Sequence, residues 1–207
     1  MTFPIQDIAT RFAAGEAYTQ YLAHVEKNRD MIDVVTKLAR LTADEEKFFR
    51  ALRGPINALV VSEDWCPDCA LNVPVLMRIA AANSALTVRF VGREANYDLL
   101  EFAKKGDRKA IPTFFFFDAQ WNEIGHWIER PMRAEMLLDE WALTHRPPTE
   151  PDRTHAVWRE HRQARSTYYR DELFLKQGLW HETVVELRAI LSGEVFSNVT
   201  SEAYALA

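Results

Sequence analysis

Cys66 and Cys69 are the only cysteines in the chain, and two residues separate them. They sit in Trp65-Cys66-Pro67-Asp68-Cys69, where the apolar run Ala58-Leu59-Val60-Val61 gives way to a helical pattern. A cysteine at the start of a helix faces unpaired backbone N–H groups and the positive end of the helix dipole. Both favour the thiolate, which is the nucleophile of disulfide exchange. A second cysteine about one turn further on can attack the mixed disulfide formed by the first and release the product. The chemistry suggested is dithiol–disulfide exchange, with Cys66 attacking and Cys69 resolving, and it calls for no cofactor.

Other uses of two cysteines fit less well. A structural zinc site needs four ligands, and there is no second cysteine pair. His155 and His161 are six residues apart, awkward for one helical face, while His24, His126, His145 and His181 are scattered. No metal is therefore expected. Iron–sulfur ligation would require a dimer sharing the pair. A Cys–His hydrolase finds no histidine at a recognisable spacing and has no need of a resolving cysteine. Arg159, Arg162 and Arg165 read as a solvated helix face.

The elements that position the pair follow from periodicity. Residues 1–54 read as helical: Tyr18, Tyr21, Leu22 and Val25 share one face, and Ile32, Val35 and Leu38 continue on a second helix. Thr42-Ala43-Asp44-Glu45 has capping-box spacing ahead of Phe48, Phe49 and Leu52, and Gly54-Pro55 ends that helix. Asn57 to Ser62 is a short buried strand. Cys66 to about Ala82 is a helix that Pro74 should kink. A second strand spans Leu86 to Val91. A helix from Tyr97 to Lys105 turns Leu99, Leu100, Phe102 and Ala103 inward and closes at Gly106.

Phe114 to Phe117 is a buried strand, Asp118 to Asn122 a turn, and Glu123 to Ile128 the antiparallel partner. Pro131 opens a helix to about Thr144 with Ala134, Leu137, Leu138 and Trp141 as core positions. Pro147, Pro148 and Pro151 mark a stiff boundary. Beyond it, Arg153 to Lys176 and Trp180 to Leu191 read as helices, and Trp158, Tyr168, Tyr169, Phe174 and Trp180 demand burial against the core. From Gly193 on no period is visible and fraying is expected. Asn198-Val199-Thr200 has the form of a glycosylation acceptor.

The 207 residues can bury a sizeable core, and 48% hydrophobic with 27% charged residues is an ordinary globular balance. A net charge of −5 argues against a nucleic-acid-binding surface over the whole protein. No apolar run approaches the roughly 18 residues of a membrane span. Met1 to Asp7 has neither the basic nor the apolar segment of a secretory signal, so the cytoplasm is the expected compartment.

Over roughly residues 55–145 the chain resembles the thioredoxin superfamily. Trp65 precedes the first cysteine, Pro74 follows Cys66 by eight residues, Ile111-Pro112-Thr113 places a proline 46 residues after Cys66, and Gly125 falls near the glycine of the last hairpin. The resemblance implies an α/β fold with a mixed central sheet and helices on both faces. The division expected is an N-terminal helical extension (1–54), a thioredoxin-like core (55–146) and a C-terminal helical extension packed on the core (147–207). It also implies a cis Ile111–Pro112 bond facing the dithiol, with the Ile111 main chain and Pro112 positioning substrate, and Trp65 and Pro67 shaping the rim.

The chain also departs from the family pattern. Pro67-Asp68 stands where thioredoxin has Gly-Pro, and a carboxylate there opposes thiolate formation by like-charge repulsion. Asp68 would thereby tune the potential, and Trp-Cys-Pro-Asp-Cys does occur in a group of small cytosolic reductases. Val60 stands where thioredoxin has a buried proton-accepting aspartate, leaving Glu63, ahead of Asp64, as the proton acceptor by position. The helical additions and Asn72-Val73-Pro74 are similar to those of a bacterial group of thioredoxin-like proteins.

The implied activity is thiol–disulfide oxidoreduction on a disulfide-containing protein or small-molecule disulfide. An electron donor such as a thioredoxin reductase or glutathione would restore the dithiol, with no nucleic acid or membrane as partner. The alternative is a binding, scaffold or redox-sensor protein with an occluded dithiol.

Overall fold

The computed structural model describes residues 6–149 and 155–199. Four helices come first: α1 (Ile8–Ala14), α2 (Tyr18–His24), α3 (Arg29–Leu38) and α4 (Ala43–Ala51). The capping box of α4 forms as its spacing predicts. Glu45 N–H donates to Thr42 Oγ1 at 3.3 Å and Thr42 N–H to Glu45 Oε2 at 2.7 Å, which satisfies two otherwise orphaned donors. Ile32, Val35 and Phe49 point inward, and α3 packs against the helix that follows the first strand.

The core comprises β1 (Ile56–Val61), α5 (Pro67–Ala80), β2 (Leu86–Val91), α6 (Tyr97–Phe102), β3 (Thr113–Phe117), β4 (Glu123–Ile128) and α7 (Met132–Thr144). The sheet order is β2-β1-β3-β4, with β1 parallel to β2 and the other pairs antiparallel. Strands β1 and β3 are flanked on both sides, and Ala58 to Val61 and Phe114 to Phe117 are buried throughout. Double burial is why both read as unbroken apolar runs. The outer edge of β2 is covered by Glu16, which exchanges two 2.9 Å backbone hydrogen bonds with Phe90. An α/β thioredoxin-like fold with added helices is the result.

Three local expectations are corrected. Helix α6 stops at Phe102, short of Lys105, and Phe102 is 40% exposed with its ring edge-on to His126, while Leu99, Leu100 and Ala103 are buried. Beyond residue 149, Pro151 and the predicted helix start at Arg153 lie outside the described residues. Helix α8 covers His155–Thr167, but Tyr168–Lys176 is wound as a π-helix and α9 covers Trp180–Ser192. Of the aromatic set, Tyr169 and Phe174 are buried and Trp158, Tyr168 and Trp180 half-buried, and α9 packs on α5 and β4.

The third correction concerns the segment after Gly193. His126 N–H donates to Phe196 O at 2.9 Å, so this segment lies along the outer edge of β4. Asn198 is fully buried. Its Oδ1 accepts from Ile128 N–H, and its Nδ2 donates to the carbonyls of Ile128 and Arg130, at 2.8 to 3.1 Å. An asparagine so engaged is a strut between segments and no glycan acceptor in the folded chain, while Thr200 lies outside the described residues.

Candidate functional site

The turn from β1 to α5 places both thiols. Cys66 N–H donates to Glu63 O at 3.2 Å, Cys66 is the N-cap of α5, and Pro67 fills the first helical position, where its missing N–H costs nothing. Cys66 is 6% exposed and its Sγ donates to Ile111 O at 3.3 Å, beside the cis Ile111–Pro112 peptide. Cys69 is fully buried, and both thiols are free. Burial pushes the Cys69 thiol well above its ordinary range, and the adjacent Cys66 adds to this. The Ser62 hydroxyl and the Glu63 main chain act in the opposite direction.

Trp65 and Pro67 lie exposed at the rim, whereas Ile111 and Pro112 are buried. The acceptor expected at Glu63 faces elsewhere: its Oε1 accepts from Arg93 N–H at 2.7 Å. Asp64 turns to the segment between α2 and α3, where its Oδ2 accepts from Glu26 and Lys27 N–H at 3.2 and 3.1 Å, and its carbonyl from Asn28 Nδ2 at 2.8 Å.

Asp68 meets a cation. Arg130, just beyond β4, donates from Nε and Nη2 to the two oxygens of Asp68 at 3.2 and 2.8 Å, and from Nη2 to Glu129 at 2.8 Å. Its side chain is 7% exposed. Burial disfavours the guanidinium charge, but Asp68, Glu129 and Glu135 outweigh it and hold Arg130 protonated. The Tyr169 ring, carried by the π-helical turn, lies 5.3 Å from the guanidinium carbon. Burial raises Glu129. Glu135 also feels burial, but Lys105, Arg130 and Arg108 more than offset it and hold it near 2. Arg165, expected on a solvated face, is half-buried and reaches to 4.0 Å of Glu135. The repulsion expected from Asp68 is thus largely compensated where it arises.

Asn72, one turn after Asp68, ties this network to the helix layer. Its Nδ2 donates to Asp68 O and Glu129 O, and its Oδ1 accepts from Thr183 Oγ1 at 2.8 Å. The sequence pattern singles out Tyr169 only as a ring to be buried and gives Arg130 no place at the site. The available signal was a charged pair, Glu129-Arg130, between the apolar end of a strand and a helix-opening proline. Among the described residues, no three His, Cys, Asp or Glu side chains cluster where a metal ion could be held, and no helix is long and apolar enough to cross a membrane.

Comparison with known proteins agrees with this geometry. A family model described as thioredoxin matches residues 15–142. A crystal structure of a protein of unknown function from Pseudomonas aeruginosa superposes with a TM-score of 0.64 at 19% identity, covering 92% of this chain and all of that one. An HIV epitope-scaffold superposes with a TM-score of 0.62 at 18% identity, covering 90% of this chain and 98% of its own. No curated protein matches. With a family match over more than half its length and a cysteine pair at the N-terminus of α5, the chain belongs to the thioredoxin family.

Proposed function

We propose that the protein is a thiol–disulfide oxidoreductase acting through Cys66 and Cys69. The observation that carries this reading is the placement of Cys66 at the N-cap of α5 with Cys69 fully buried one turn behind it. The Cys66 thiolate attacks one sulfur of a disulfide, forming a mixed disulfide and expelling the other sulfur as a thiolate. Cys69, deprotonated, then attacks the Cys66 sulfur, closes the Cys66–Cys69 disulfide and releases the second thiolate. Two electrons pass from dithiol to substrate, and the released thiolates take up protons from solvent.

Trp65 and Pro67 form the exposed rim for a disulfide-containing protein or small disulfide, and the Ile111 main chain and Pro112 line the other side. A thioredoxin reductase or glutathione would return the electrons in a reducing compartment such as the cytoplasm. A Cys66→Ser protein that kept full disulfide reductase activity would sink this reading.

A second reading, a redox sensor or binding protein with an occluded dithiol, draws on the 6% exposure of Cys66. Alkylation separates the two. Labelling of Cys66 at a rate comparable to a free thiol supports the enzyme, and labelling limited by opening of the fold supports the sensor. The equilibrium potential of the pair against glutathione gives direction, because dithiol proteins of this type span about 150 mV.

A further inference from the structure

Tyr21 Oη and Ser62 Oγ lie 2.9 Å apart where α2 of the N-terminal extension meets the end of β1, and both residues are buried. Ser62, at the end of β1 just ahead of the dithiol turn, favours the thiolate form of Cys69. At the far end, Tyr21 and Ser62 line an open cleft of about 430 Å³ at the carboxyl ends of β1 and β2. Cys69 itself has no exposed surface. Its proton must leave before it can attack, and a hydroxyl can accept one proton while donating its own. Two hydroxyls in series therefore connect a sealed thiol to a cleft.

We propose, resting on the oxidoreductase reading above, that Ser62 and Tyr21 form the proton exit of Cys69, so that the N-terminal extension supplies part of the reaction path. In the resolving step the Cys69 S–H bond breaks and its proton passes to Ser62 Oγ. The Ser62 proton passes to Tyr21 Oη, and the Tyr21 proton passes to an acceptor in the cleft. The sulfur electron pair left on Cys69 forms the Sγ–Sγ bond to Cys66, and the bond from Cys66 to the substrate sulfur breaks with its electron pair going to the departing thiolate. Neither hydroxyl is consumed.

Ser62 takes the proton from the reacting sulfur and is catalytic in this scheme, while Tyr21 acts through it as a positioning and relay residue. The cleft-lining groups that can accept the proton are Glu16, His24, Glu63 and Asp64. Tyr18, stacked at 6.3 Å, and the two thiols are the other titratable groups facing Tyr21. Burial raises Tyr21 well above the ordinary phenol range, so it conducts by exchanging protons and holds no negative charge. Glu63 keeps a part here as a terminal acceptor, one step removed from the thiol.

The test follows release of nitrothiolate from dithiobis-nitrobenzoate under single turnover. A first equivalent reports attack by Cys66 and a second reports resolution by Cys69. Ser62→Ala should slow the second phase about tenfold or more and shift its pH dependence, with the first phase within about twofold of wild type. Ser62→Thr, which keeps the hydroxyl, should restore the second phase, and Tyr21→Phe should slow it less than Ser62→Ala does. Near-UV circular dichroism and a urea midpoint like those of the wild type certify that each variant is folded. A normal second phase with an unshifted pH profile in Ser62→Ala overturns the relay and leaves the oxidoreductase intact. A wild-type protein that never releases the second equivalent overturns the oxidoreductase reading, and the relay with it.

Discussion

Replacing Arg130 by methionine tests whether the cation beside the dithiol is structural, functional or both. The guanidinium is 7% exposed and makes three hydrogen bonds to carboxylates, two to Asp68 and one to Glu129. Methionine fills much of the same volume but leaves Asp68 and Glu129 facing each other, with side-chain exposures of 16% and 10%. Deleting one partner of a buried pair strands the other charge, and the expected loss is about 3–5 kcal/mol. Burial already raises Glu129, so it takes up a proton in the variant and holds the loss toward the lower end. Asp68→Asn in the same background removes the remaining charge and should recover roughly 1–2 kcal/mol. Urea unfolding of the wild type, both single variants and the double variant closes the cycle. Arg130→Met should also slow alkylation of Cys66 at pH 7 about threefold to tenfold, through the unmasked Asp68 charge, with the rate regained in the double variant. A loss below about 1 kcal/mol with an unchanged alkylation rate would refute the reasoning, because it would mean that solvent already screens Asp68.

Glu186, buried between Trp127 and Met132, accepts from Trp127 Nε1 at 2.7 Å and Met132 N–H at 2.6 Å, and burial holds its carboxyl up to about 7. The folded chain therefore keeps a proton that the unfolded chain loses from about pH 4.5 upward. Its stabilising contribution is whole below about pH 4.5 and lost as pH rises through about 7, about 3 kcal/mol in all at roughly 1.36 kcal/mol per unit. Glu186→Gln should flatten this fall in urea midpoints between pH 5 and 8, whatever its constant offset, and a slope equal to wild type would contradict the assignment. At Gly125 a Cβ would stand 2.4 Å from Phe196 O and 2.9 Å from Ile190 Cγ2. Gly125→Ala should cost about 1–3 kcal/mol and speed amide exchange over residues 195–199, and wild-type protection there would count against the close approach.

Legibility followed the range of the interaction. The Thr42–Glu45 box and the Cys66 N-cap with Pro67 behind it are decided within four residues, and both stand in the structure where the spacing places them. The phenylalanine run of β3 was readable because burial on both faces leaves no polar alternation. By contrast, Arg130 meets Asp68 across 62 residues and Asn198 meets Ile128 across 70, pairings that no local period encodes. Asn198 looked like a fraying tail because its partners are main-chain groups, which leave no trace in side-chain pattern. The π-helix from Tyr168 to Lys176 was hidden for a related reason. Its apolar residues fit an α-helical period well enough, and packing at Tyr169 accompanies the change in winding.

The N-terminal and C-terminal helices both direct polar contacts to the same few residues of the β1–α5 turn. From the N-terminal side, the amides of Glu26 and Lys27 hold Asp64, and Tyr21 meets Ser62. From the C-terminal side, Thr183 holds Asn72 and Tyr169 lies against the arginine that clamps Asp68. Neutral hydrogen bonds contribute about 0.5–1.5 kcal/mol each after the loss of water is counted, and those to a carboxylate about 1.5–3, so stability is one reason for concentrating them here. Position is a stronger one, because displacing a reacting group by about 1 Å can cost on the order of a hundredfold in rate. Cys66 and Cys69 lie between these two sets of contacts, on a helix start that can hardly shift without breaking one or the other. On that account the added helices hold the geometry of the thiols, while Trp65 and Pro67, on either side of Cys66, stay exposed.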